Sequence, residues 1–350
     1  MAKKVLHILR TNSFSGAENV AIKIIKISSE EYNSIYVSPP GEIVEILEKN
    51  NIRHKPIDAL TPFEIFSIIK KEKPDIIHAH DFTAGVMCAL VPTKIPIINH
   101  LHHNSPWLKT FNIKTIIYSI ISFRFKKILT VSASVGDEYI FNKVIQNQII
   151  NIGNPIDISF SGMYPSVPKL YDLVFMGRLS QEKNPLLFIE LIYKLKKVFP
   201  NITGIMIGDG PLMEQVIKKI HDLELIENIF VLGFLPVPFL KLKQGKIMIM
   251  PSKWEGFGLA AVEALALGLP VIGSDVGGLK SIIDNSCGKL CRNLSEFYES
   301  LVHLLNSPDD LEFLSQGAKL KAEKLNNINE YKNSIIQVYD ELIVNETKNL

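Results

Sequence analysis

The chain has 350 residues, 47% of them hydrophobic and 21% charged, with a formal net charge of +2. That length suits two domains with a core each, and the composition excludes a disordered, collagen-like or disulfide-stapled chain. The charge lacks the basic stripe of a nucleic-acid binder, so no nucleic acid is expected as a partner.

Strand-like and helix-like segments alternate from the start. The apolar run at 5–9 is short, carries His7 and ends at Arg10, so it reads as a buried strand and not as a signal segment. Further buried strands are expected at 35–37, 75–79, 96–101 and 128–131, with helices near 17–28, 41–50, 62–72, 83–91, 112–125 and 133–143. A Gly-, Ser- and Pro-containing stretch at 157–168 reads as a linker. The alternation then restarts, with strands at 173–176, 202–207, 229–232, 247–250 and 271–272, and helices near 185–198, 211–222, 236–243, 259–267 and 277–283. Three helical patterns, at 294–305, 308–324 and 328–346, complete the chain. The pattern predicts an α/β fold of two Rossmann-like, doubly wound parallel-sheet domains facing a central cleft.

No apolar run approaches the roughly 20 residues that cross a bilayer; the longest, at 116–123, contains Tyr118, Ser119 and Ser122. Cys88 stands alone, while Cys287 and Cys291 form a C-x3-C without a second pair, so neither a disulfide framework nor a zinc ribbon is expected. A reduced, cytoplasmic chain is the simple expectation. An excess of four positive charges falls in residues 1–160 and an excess of two negative ones in the remainder. The first half is therefore the half suited to an anionic surface or substrate.

The strongest local signal is the stretch 251–263, which carries Glu255, Gly256, Phe257, Gly258, Leu259 and Glu263 between a strand and a helix. Free N–H groups at the helix start make an anion site suited to a diphosphate. Glu263, one turn into the helix, is placed to accept hydrogen bonds from a ribose, and Glu255 to face the group on the other phosphate. A second strand-to-helix loop carries Gly177, Arg178 and Lys183, two cations on one short segment that can fold over a phosphate. A third turn, Gly208-Asp-Gly-Pro211, lacks the third glycine of a dinucleotide fingerprint and reads as a packing turn beside the ligand. In the first half, Gly16 lies in a loop that follows the first strand, where backbone can approach phosphate. His78, His80 and Asp81 end one strand, and His100, His102 and His103 end the next; His100 and His102 share a face and His103 points away. Two readings of these histidines stay open: a metal site built from neighbouring strand ends, or a polar wall of imidazoles of which one touches substrate.

Taken in order, these residues resemble the retaining glycosyltransferases of family 4, which have the GT-B fold and use nucleotide-sugar donors. Glu255 to Glu263 is similar to the family's E-x(7)-E motif, Gly177-Arg178-Leu179 with Lys183 to its G-R-x…K loop, and Gly208 to Pro211 to its G-x-G-P turn. His102 occupies the place of its N-domain active-site histidine, and Ser15-Gly16-Ala17-Glu18 is similar to its G-G-x-E loop with serine in the first glycine's place. Asn154-Pro-Ile-Asp157 looks like a variant of N-G-V-D. After Gly277 and Gly278, where the family often has an acidic residue, stand Lys280, Ser281 and Ile282.

The resemblance implies an acceptor-side domain at 1–165, a nucleotide-sugar-binding domain at 166–328, and a final helix at 329–350 packing back on the first domain. It implies a hexosyl- or N-acetylhexosaminyl-transferase that moves sugar with retention from a nucleoside-diphosphate-sugar to a hydroxyl of a glycan or polyprenyl-linked acceptor in bacterial surface polysaccharide or glycolipid synthesis. His102, Arg178, Lys183 and Glu255 would be catalytic, and Gly16, Gly177, Gly208, Glu255–Leu259 and Glu263 would join the cations in donor binding. The sequence has no D-x-D, so no metal or other cofactor is expected. Trp107, Phe111, Tyr118, Phe123 and Phe125 interleave with Lys109, Lys114, Arg124, Lys126 and Lys127, which suggests either peripheral contact with an anionic membrane at the inner face of the cell membrane or an amphipathic helix packed on the sheet with its basic residues outward. A GT-B-type sugar-nucleotide epimerase or phosphorylase, and a non-catalytic sugar-nucleotide sensor, are the alternative functions.

Overall fold

The structure, a computed structural model, describes residues 3–347. Two compact units divide the chain: one comprises the residues up to Pro155 and those from Asn327 on, and the other is Ile156–Asn326. In the first unit the strands are β1 (Lys3–Ile8), β2 (Tyr32–Ser38), β3 (His54–Pro56), β4 (Ile76–His80), β5 (Ile97–Leu101), β6 (Phe125–Thr130) and β7 (Ile149–Asn151). Its helices are α1 (Gly16–Ile27), α2 (Ile43–Lys49), α3 (Pro62–Glu72), α4 (Asp81–Ala89), α5 (Ile113–Ile121), α6 (Ala133–Asp137) and α7 (Asn142–Ile145). The sheet order is β3-β2-β1-β4-β5-β6-β7, parallel throughout.

The second unit holds β8 (Tyr171–Met176), β9 (Gly204–Ile207), β10 (Ile229–Gly233), β11 (Gly245–Met250), β12 (Val271–Ser274) and β13 (Gly288–Cys291). Its helices are α8 (Pro185–Leu195), α9 (Met213–Asp222), α10 (Phe239–Lys243), α11 (Leu259–Ala266), α12 (Leu279–Ile282), α13 (Leu294–Asn306) and α14 (Pro308–Leu325). The sheet order is β10-β9-β8-β11-β12-β13, again parallel. The chain then returns to the first unit with α15 (Ile328–Thr347).

Both sheets are buried on two faces; in the second the central strands are apolar at successive positions, whereas β4 and β5 of the first also carry buried His78, His80, Asn99 and His100. In β8, Leu173 and Phe175 pack on one side with Ile247 and Ile249 of β11. Val174, Met248 and Met250 pack on the other side. Each fully buried aliphatic side chain contributes about 1.5–3 kcal/mol. Helix starts follow local chemistry. Thr61 caps α3 ahead of Pro62, and Asn112 closes a capping box with Thr115 at α5.

Differences from the expected elements have physical causes. The three unexpected strands, β3, β7 and β13, all lie at sheet edges, where half-exposed short segments carry no long apolar run. The helix expected to 125 ends at Ile121, because Phe125 is drawn into β6 as a buried residue. The helix expected at 133–143 breaks after Asp137. The stretch expected to be a linker instead begins the second unit: Phe160 stacks on Phe239 at 4.1 Å between centroids, and Tyr164 joins them. The unit boundary therefore falls after Pro155 and not after 165.

Helix α15 is fastened by Tyr339, whose hydroxyl lies 2.7 Å from His78 Nδ1, and by Asp340, which accepts hydrogen bonds from Tyr32 and Lys3. Residues 348–350 of the expected final segment lie outside the described residues.

Candidate active site

In the second unit, β8 and β11 are neighbours although sequence order runs outward from them in both directions. Between such strands the following helices leave to opposite faces and the carboxyl ends open a crevice. The two loops with the strongest sequence signals stand there. The loop after β8 carries Gly177, Arg178 and Lys183, and the loop after β11 carries Glu255, Gly256, Phe257 and Gly258. The Lys253 amide donates to the Glu182 carbonyl at 2.8 Å and ties the two together.

Glu255 is buried, and its carboxylate binds Lys183 Nζ at 2.5 Å and accepts a longer 3.4 Å bond from Ser252. Its carbonyl accepts from the Gly278 amide, which fixes the loop against the turn before α12. Lys280 of α12 pairs with Asp275 at 3.3 Å. Arg178 is exposed and makes no side-chain hydrogen bond or ion pair with a described residue. The site therefore holds one compensated cation and one uncompensated cation.

Gly258 caps α11 at the end of the loop after β11 with φ of +108°, a conformation that strains any side chain. Leu259 is the first residue of α11 and Glu263 is half-buried one turn on. Gly208 is needed for space: a Cβ there would stand 2.0 Å from the Gly177 carbonyl oxygen. The turn after β9 is thus packed against the Gly177 loop, and the Leu179 amide donates to the Asp209 carbonyl at 2.9 Å.

Gly16 and His102 belong to the first unit. Gly16 opens α1 beneath no neighbour, since a Cβ would meet nothing within 4 Å. Glu18 is buried and accepts hydrogen bonds from Thr11 and from Ser15, the serine that replaces glycine in this loop. Here too the order reverses between neighbours, β1 and β4. A cavity of about 280 Å³ opens at that point, lined among others by Arg10, Glu18, His80, Asp81, His103 and Trp107. Asp81 has φ of +66°, a strained conformation for a residue with a side chain. Asn99 holds it there by donating to the Asp81 carbonyl at 3.0 Å, and Asp81 in turn accepts the His102 amide at 3.1 Å.

Five histidines stack on one face of β1, β4 and β5: His7, His78, His80, His100 and His102. All are buried, whereas His103 faces out, 3.7 Å from Asp81. Two sets, His7–His78–His80 and His80–His100–His102, each bring three ring nitrogens within 4.8 Å of one another, close enough for a metal ion. Burial holds all five neutral. His7 is pushed down to about 3 by desolvation, and the others are pushed well below 6.5 by desolvation first and by neighbouring rings second. His7 and Tyr339 were not visible as partners in the sequence, because only strand register and the docking of α15 bring them here.

The interleaved aromatic and basic segment is divided by the structure. Tyr118 and Phe125 are buried, Tyr118 donating to Asn99 at 2.6 Å, so they are core and not surface. Phe111 and Phe123 remain 72% and 75% exposed, and Ile113, Ile117 and Ile120 of α5 are exposed with them. Among the described residues, no helix is long and apolar enough to cross a membrane.

Comparison with known proteins agrees with this architecture. The model of the family described as glycosyl transferases group 1 matches residues 163–320, and that of glycosyltransferase family 4 matches residues 29–160. The chain belongs to the family-4 glycosyltransferases and has the GT-B fold. It is 24% identical to an Escherichia coli UDP-Gal:α-D-GlcNAc-diphosphoundecaprenol α-1,3-galactosyltransferase over 83% of this chain and 81% of that one. It resembles the structure of Anabaena HepE in complex with UDP and glucose, with a TM-score of 0.85 and 18% identity over 97% of this chain and 100% of that one. It also resembles a Staphylococcus aureus TarM variant in complex with Fondaparinux, α-GlcNAc-glycerol and UDP, with a TM-score of 0.77 and 14% identity over 97% of this chain and 99% of that one.

The buried imidazoles set an acid limit on the first unit. Their folded-state proton affinity is depressed, so the stability they allow is complete above about pH 6.5 and is lost progressively as pH falls below it. Urea unfolding followed by Trp107 fluorescence in a Trp254→Phe background should show a clearly lower midpoint at pH 5.5 than at pH 7.5. An unchanged midpoint would contradict the burial of neutral rings.

Proposed function

We propose that this glycosyltransferase moves a hexosyl or N-acetylhexosaminyl group with retention from a nucleoside-diphosphate-sugar to a hydroxyl of a glycan or polyprenyl-linked acceptor, in surface polysaccharide or glycolipid synthesis. The single observation that carries the reading is the second unit's site. There Arg178, which pairs with no described residue, a Lys183 bound to Glu255, and the start of α11 share the crevice between β8 and β11.

Charge decides the chemistry. As the bond from C1 to the diphosphate oxygen breaks, negative charge gathers on the leaving group and positive charge on the sugar ring. Arg178, Lys183 and the first amides of α11 offset the former, and Glu255 faces the latter. Glu263 holds the ribose. The acceptor oxygen bonds to C1 from the face the leaving group departs, and its proton passes to the leaving phosphate oxygen. His102 positions sugar hydroxyls in this reading. The two fixed cations make a metal unnecessary for this charge.

UDP in the similar HepE and TarM structures makes UDP-sugars the first donors to test, and the undecaprenol-linked substrate in the E. coli relative's name makes a lipid-linked acceptor the first acceptor class. Labelled nucleotide sugars incubated with membrane extract should release nucleotide and yield labelled product together. Sugar interconversion without acceptor would favour the epimerase reading, and binding without turnover the sensor. With the active donor, Arg178→Ala or Lys183→Ala should lower kcat by about 10²–10³. Near-normal turnover in either variant would remove its assigned role.

Peripheral membrane contact at the inner face is part of the proposal. Its support is the exposed apolar face of Phe111, Ile113, Ile117, Ile120 and Phe123 beside exposed Lys114 and Lys126. The protein should float with vesicles containing anionic lipid and less with neutral ones, and Ile117→Asp with Phe123→Asp should abolish this. Failure to float with either vesicle would sink the membrane reading alone.

A further inference from the structure

The histidine face contains a directed chain of hydrogen bonds. His7 Nδ1 lies 3.1 Å from His80 Nε2, and His80 Nδ1 lies 3.0 Å from His102 Nε2. A neutral imidazole has one N–H and one lone pair, so the three rings must all donate in the same direction. Two directions are available, and they differ only at the ends.

The inner end is His7 Nε2, which is buried and has no hydrogen-bond partner among the described residues. The outer end is His102 Nδ1, which makes no hydrogen bond with a described residue and is not sealed in the core. If the chain ran inward, His7 would carry a buried N–H with no acceptor. If it runs outward, His7 carries only an unused lone pair, and buried donors left unmet are the rarer case. A second observation selects the same direction. Asp81 holds the His102 amide and acts on its ring with a charge that favours the positive end of the chain there. The groups facing His102 are otherwise the rings of His80, His100 and His103.

We propose that His7 and His80 are positioning residues that keep His102 neutral with its proton on Nδ1, so that His102 meets the substrate as a hydrogen-bond donor to a sugar oxygen and not as a base. This rests on the reading that His102 faces substrate. The chain of rings itself does not depend on that reading. A metal on either histidine set would require three lone pairs to converge, whereas these nitrogens are matched as donor and acceptor in pairs, including His78 Nε2 with His100 Nδ1 at 3.2 Å.

Long-range ¹H–¹⁵N correlation spectra of the full-length protein with labelled histidine report which ring nitrogen holds the proton, whether or not any sugar is transferred. The His102 signal is the one lost in His102→Gln. The expected result is a neutral ring protonated on Nδ1, unchanged from pH 7.5 to 5.5. In His80→Phe, which removes the donor to Nε2, this proton should redistribute between the two nitrogens. His80→Gln, which can donate an amide N–H, should restore the Nδ1 form. A native His102 protonated on Nε2 or on both nitrogens would overturn the proposal. So would one equivalent of metal in the purified untagged protein, with metal-shifted histidine nitrogens. The native spectrum decides even if the His80 variants do not fold. Loss of transferase activity with the Nδ1 form intact would instead count against the substrate reading.

Discussion

A parallel strand delivers its last carbonyl, and then the unbonded amides of the helix that follows, to one edge of its sheet. Where two neighbouring strands send their helices to opposite faces, nothing covers that edge. In this chain the constraint operates twice, between β1 and β4 and between β8 and β11. Apart from the histidines within the strands themselves, the residues assigned to chemistry lie on loops that follow one of these strands or its neighbour, or on the first two turns of the helix beyond. The sheets need not be alike to do this. One has seven strands and the other six, yet each places its polar residues at the reversal of strand order.

The two edges are furnished with opposite electrostatic strategies. At the β8–β11 edge charge is present in full: an exposed guanidinium, an ammonium matched to a buried carboxylate, and a helix start. That arrangement places positive charge where a negatively charged ligand group would sit. At the β1–β4 edge the imidazoles are held uncharged by their own burial and by each other. The rings offer direction and no charge of their own, beside the Arg10, Glu18 and Asp81 side chains that line the same cavity.

Much of this was legible in the sequence, and the legible part is the local part. Central strands declared themselves as short apolar runs, and the Glu255–Glu263 and Gly177–Lys183 segments declared themselves by glycines and charges packed between a strand and a helix. The three edge strands did not, because a segment covered on one side needs no hydrophobic run. Nor did the division of 107–127 into core and surface: Tyr118 and Phe125 point to partners that only the folded sheet supplies. The histidine chain lay furthest from view. His7 meets His80 through the register of β1 with β4, and Tyr339 reaches His78 from 261 positions away.

That last contact has a temporal side. Because α15 belongs to the first unit, the second unit is an insertion between two parts of one fold. On a ribosome, Ile156–Asn326 is available in full before the first unit is complete. Until the last helix emerges, Tyr32 lacks Asp340 and His78 lacks the phenol that covers it. The half made first is therefore the half finished last, and a nascent chain halted short of α15 would leave His78 without its phenol and Tyr32 without its carboxylate.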